Sequence, residues 1–134
     1  MQIVVSDHDC EGQAEAIFDA LDRLGLLPLI PMELRRFRQV GLSPGADDEV
    51  VWQFCQQRDY FLLTGNRSTK DDEQSLEQVM RRLVLDESLP VLTISNLRRV
   101  KTDWDYCQRC AERLATIVLD KEKNRGIPRL FLPG

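Results

Sequence analysis

The chain has 134 residues, 43% of them hydrophobic and 30% charged, with a formal net charge of −4. That length suits a single domain over residues 1–134 with a real hydrophobic core. The acidic balance excludes any global attraction to nucleic acid or membrane, so a polyanion would need a local basic face or bridging metal ions. No apolar run approaches the ~20 residues that span a bilayer, and no basic-then-apolar leader precedes the first strand pattern. A cytoplasmic protein without membrane contact is expected.

In chain order, QIVVS at 2–6 is a short buried strand. Over residues 12–24, Ala14, Ile17, Phe18, Leu21 and Leu24 share one face, which predicts a helix stopped by Gly25. LLPLI at 26–30 is a second strand candidate, although Pro28 interrupts it. Residues 47–57 turn Val51, Phe54 and Cys55 inward on a helix, with Asp47 and Asp48 placed to satisfy its free N–H groups. YFLLT at 60–64 and PVLTI at 90–94 are further apolar strands. Between them, residues 73–84 carry Leu76, Val79, Met80 and Leu83 on one stripe. The longest helix pattern covers 103–122, and a short RLFL strand lies near the C-terminus. The alternation of strand and helix predicts an α/β domain with a mainly parallel sheet covered on both faces.

The four cysteines are Cys10, Cys55, Cys107 and Cys110. Cys107 and Cys110 form a C-x-x-C, but no second C-x-x-C or H-x-x-x-H supplies two further zinc ligands. They fall on a helical stripe with Ala111, Leu114, Ile117 and Val118, which predicts two small buried hydrophobes.

Candidate chemistry gathers where strands end. In an open parallel sheet, ligands bind beyond the carboxyl ends of the strands, where the topology reverses. SDHDCE places Asp7, His8, Asp9 and Glu11 after the first strand, and TGNR places Thr64, Gly65, Asn66 and Arg67 after FLL. Asp47, Asp48 and Glu49 open the helix that leads into FLL. If the two strands are neighbours, these groups meet in one crevice. Converging carboxylates repel one another, and a divalent cation with hard oxygen ligands relieves that cost. The competing reading is that Asp7 or Asp9 caps the following helix. Neighbouring strand-end residues point in opposite directions, so a crevice-facing Asp7 leaves His8 elsewhere.

These residues resemble a family. The DH-x-x-EGQ start (Asp7 to Gln13), VGLSPGADDEVVWQFCQQRDYFLLTGNR (Val40 to Arg67), and SLPVLTISNL with CAERLATIVLD are similar to bacterial PIN-like domains of unknown function, small relatives of the PIN-domain ribonucleases of toxin–antitoxin systems. The resemblance implies a PIN-like three-layer α/β/α sandwich and an acid cluster that binds Mg²⁺ or Mn²⁺. It carries Asp7, Asp48 and Asn66 over as catalytic, metal-ligating positions, with Thr64 and Arg67 as substrate contacts. Asn66 stands where many such nucleases have an aspartate, which implies weakened activity unless Asp71, Asp72 or Glu73 compensates. RNA as substrate, a cognate antitoxin-like protein and a homodimer are the partners implied. Arg35, Arg36 and Arg38, or Arg98, Arg99 and Lys101, are the candidates for local RNA affinity, and the competing, favoured reading of both clusters is a solvated face.

Two other readings compete. Asp7 and Asp9 fit the D-x-D of haloacid dehalogenase-like phosphatases, although Asp103 and Asp105 flank a helix-start tryptophan where a later strand-end pair is needed. A phosphorelay receiver is excluded, because Gly65 and Asn66 stand where its phosphoacceptor belongs. A non-catalytic PIN-like module would instead use Trp104 and Tyr106 at a protein interface.

Overall fold

The computed structural model describes the backbone of residues 1–65 and 70–134, and the side chains of residues 1–65 and 75–134. Five described strands form one sheet: β1 (Gln2–Ser6), β2 (Met32–Arg36), β3 (Phe61–Gly65), β4 (Val91–Ile94) and β5 (Arg129–Leu132). Their order is β2-β1-β3-β4-β5, and every pairing is parallel. Helices cover both faces, so the chain is a three-layer α/β/α sandwich.

The side-chain alternation of the strands feeds two cores. On one face, Val4, Leu63, Leu92 and Ile94 pack against α1 (Glu11–Arg23) and α5 (Trp104–Leu119), which contribute Ile17, Leu21, Leu114 and Ile117. On the other, Val5, Leu62 and Val91 meet α2 (Asp48–Arg58) and α3 (Lys70–Leu83) through Trp52, Cys55, Leu76 and Met80. Burying each such large side chain contributes about 1.5–3 kcal/mol. A short helix α4 (Leu97–Thr102) joins β4 to α5. Asn96 caps α4 by accepting the Arg99 N–H at 3.2 Å, and Asp103 caps α5 by accepting the Tyr106 N–H at 3.3 Å. The guanidinium of Arg99 lies 2.8 Å from Asp103 and holds that carboxyl below the usual range.

The crossovers are not uniform. The β1-to-β2 connection runs over the α1 face in one direction, and β4 to β5 runs over the same face in the other. The first and last crossovers therefore have opposite hands. One hand dominates parallel crossovers overall. Here α5 follows the apolar surface of α1 rather than the usual sense.

Two expectations are corrected. LLPLI at 26–30 is no strand: its backbone turns, with Leu29 N–H and Ile30 N–H both donating to the Leu26 carbonyl at 3.1 and 2.9 Å. Pro28 lacks an N–H and fixes its φ, which suits a turn better than a ladder. The true second strand is MELRR, an edge strand whose half-exposed residues leave no apolar run. The long helix expected over 103–122 is instead α5 followed by a 3-10 turn, Lys121–Asn124. Among the described residues no helix is long and apolar enough to cross a membrane.

All four cysteines are free and buried. Burial pushes Cys55 and Cys110 up to about 12. The Cys107 thiol donates to the Ala16 carbonyl at 3.5 Å, an α5-to-α1 contact. The C-x-x-C is core packing, as its helical spacing implies.

Candidate functional site

The strand order reverses between β1 and β3. From β1 the chain moves outward to β2, returns across β1 to β3, and continues outward through β4 and β5. The carboxyl ends of β1 and β3 thus border the switch point where a ligand crevice forms. The two strands are adjacent, with Ser6 in register with Leu63, and the Asp7 N–H donates to the Leu63 carbonyl at 2.8 Å. That bond ties Asp7 to the rim of the sheet.

An open crevice of about 470 Å³ lies at this rim. Asp7 and Asp9 reach it from the end of β1, and Asp47, Asp48 and Glu49 from the start of α2. Ser75 and Val79 of α3 close one side. Three stretches of backbone therefore deliver carboxylates and a hydroxyl to one opening.

Capping does not account for Asp7 or Asp47. Asp7 precedes the 3-10 turn His8–Cys10, and Asp47 precedes α2, yet neither side chain accepts a capping hydrogen bond. The expectation that Asp47 caps α2 is corrected: its side chain is a wall of the crevice instead. Glu49 is engaged by the Arg82 guanidinium from α3.

Thr64 is fully buried, and its hydroxyl lies 3.3 Å from that of Thr93 on β4. It does not line the crevice. Asn66 and Arg67 lie outside the described residues, as do the side chains of Asp71, Asp72 and Glu73. Of the candidate RNA contacts, Arg35 pairs with Glu33 at 3.4 Å and Arg99 with Asp103. Arg36 and Arg38 line a second, smaller cavity with His8. Tyr106 is buried and accepts the Asn96 N–H at 2.9 Å, whereas Trp104 is 47% exposed beneath the Arg23 guanidinium. Only Trp104 of that pair is open to a partner.

The donor chemistry of the crevice is hard oxygen, which suits Mg²⁺ or Mn²⁺ held by one or two carboxylates plus water. Asp7 and Asp48 are the donors such an ion would use. Among the described residues, no three His, Cys, Asp or Glu side chains stand close enough to form a ready-made ligand set.

No family model, curated protein or solved structure matches this chain.

Proposed function

We propose that the chain is a metal-dependent ribonuclease of the PIN-like kind, hydrolysing phosphodiester bonds in the acidic crevice. The observation that carries this reading is that Asp7 and Asp48, far apart in sequence, line one opening at the β1/β3 switch point. Asp7 and Asp48 would hold a Mg²⁺ or Mn²⁺ ion, which would supply Lewis acidity at the crevice. The protein's part is positioning. Asp7 is held at the rim by its backbone bond to Leu63, and Asp48 stands on the first turn of a helix. In this reading Asn66 offers an amide oxygen without charge, and Arg67 pairs with the phosphate.

Mn²⁺ titration of the metal-free protein, followed by an RNA cleavage assay, tests this. The wild type should bind Mn²⁺ and cleave single-stranded RNA. Asp7→Asn and Asp48→Asn should each weaken both by at least about tenfold while the circular dichroism is unchanged. Cleavage that persists in chelator, or variants that bind Mn²⁺ normally, would refute it. A non-catalytic module would show neither activity.

Asp9 beside Asp7 on the same crevice supports a second reading, phosphomonoester hydrolysis with Asp7 as nucleophile. That enzyme would trap beryllofluoride on Asp7 and release phosphate from small phosphomonoesters, which the nuclease would not.

A further inference from the structure

The segment after β1 divides its side chains between two openings. Asp7 and Asp9 line the acidic crevice, whereas His8 and Glu11 line a separate cavity of about 140 Å³ with Arg36, Phe37 and Arg38. Pro44 belongs to the walls of both, so the two are neighbours along one rim. Their chemistry is opposite.

Many arginines of this chain are matched to carboxylates: Arg35 to Glu33, Arg82 to Glu49, Arg99 to Asp103 and Arg125 to Asp59. Among the described residues neither Arg36 nor Arg38 has such a partner. Glu11, the carboxylate in this wall, is already engaged by His8, whose Nδ1 lies 3.5 Å from Oε1. Phe37 is buried and forms an apolar floor between the two guanidinium-bearing residues. The turn that carries them is pinned where the Arg36 N–H donates to the Gln39 side-chain oxygen at 2.8 Å.

We infer that this cavity is an oxyanion subsite that takes one phosphate group of the RNA strand whose scissile bond lies in the acidic crevice. It rests on the hydrolytic reading above. Size sets the ligand: a cavity of about 150 Å³ accepts a benzene ring, so this one accommodates a phosphate group and excludes a whole nucleotide. Guanidinium groups match phosphate geometrically and hold it by paired, charge-assisted hydrogen bonds. The arrangement also answers an electrostatic difficulty. An opening walled by Asp7, Asp9, Asp47 and Asp48 repels a polyanion, and a cationic site beside it offsets that repulsion.

The test is an NMR titration of the metal-free protein, first with inorganic phosphate and then with a short single-stranded oligoribonucleotide. Phosphate should produce saturable shifts centred on His8 and on the amides of Phe37, Arg38 and Gln39. The oligoribonucleotide should shift the same signals at lower concentration. The double variant Arg36→Gln, Arg38→Gln should weaken both ligands by about tenfold or more. Arg36→Lys, Arg38→Lys, which keeps the charge but not the fork, should fall between. Shifts scattered over the surface, or affinity indifferent to the glutamine pair, would overturn the subsite. Phosphate binding with no gain from the oligoribonucleotide would identify free phosphate as the ligand and overturn the strand assignment. Neither metal nor cleavage enters this measurement, so its failure is separable from failure of the Mn²⁺ experiment.

Discussion

Asp59 offers a test of what holds the sandwich together at the end opposite the crevice. It closes α2 in the left-handed conformation, with φ of 60°. Its carboxylate accepts a two-pronged pair from Arg125 at 2.9 and 3.0 Å, and Lys121 Nζ lies 2.6 Å from Oδ2. Hydrogen bonding from Arg125 is the main cause that lowers its pKa from 3.8 to about 2. Undamped, that difference corresponds to about 2.5 kcal/mol. The side chain is 46% exposed, however, and solvent screening reduces the expected contribution to about 1 kcal/mol. The folded pKa is depressed, so the stabilisation is fully present above the unfolded value near 4 and is lost as pH falls toward 2. Asp59→Asn removes the charge while keeping a residue that tolerates the left-handed backbone. Urea unfolding of both proteins should show a gap of about 1 kcal/mol at pH 7, equivalent to a few degrees in Tm, closing between about pH 4 and pH 2. A gap that is absent at pH 7, or that persists unchanged at pH 2, would refute the ion-pair account.

Two further predictions concern packing. A Cβ added at Gly65 would lie 2.4 Å from Cδ1 of Leu97, so Gly65→Ala should destabilise by about 1–3 kcal/mol in thermal melts. Adding Leu97→Ala should recover part of that loss, and strict additivity of the two would contradict the contact. The buried thiols, raised by desolvation, should resist a disulfide reagent at pH 8 in the native protein and react fully once unfolded. Prompt labelling of Cys107 or Cys110 in the native protein would show that the α5-to-α1 seam opens readily.

Much of the architecture is legible in the sequence because the helices carry clean apolar stripes. Ala14, Ile17 and Leu21 mark α1, and Leu76, Val79 and Met80 mark α3, each all but sealed from solvent. The strand VVS and the strand FLL read as buried because both faces of the sheet are covered. MELRR hides for the opposite reason: at an edge, only Met32 is buried, and charge replaces the apolar run. That single misplacement has a consequence at the rim. With the second strand set at 26–30, Arg36 and Arg38 read only as part of a basic cluster with no place on the sheet. With it at Met32–Arg36, they stand at a strand end beside His8. The strand-end rule places Asp7 at the rim of the sheet, and the crevice there is also lined by Asp48 from the start of α2. The submerged position of Thr64 was not, because its hydroxyl is claimed by Thr93 from a strand whose neighbourhood only the sheet order fixes. The helix α4 is six residues of LRRVKT, too short for a periodic pattern to emerge.

An all-parallel sheet also decides where fusions should be made. Every strand starts at one rim and finishes at the other, so Met1 emerges beside the Asp59 network and Gly134, just past β5, emerges on the rim that carries the carboxylates. A purification tag or fluorophore joined at the first residue hangs away from the working end. The same attachment joined at the last residue shares that end with the acidic crevice, and would crowd its mouth.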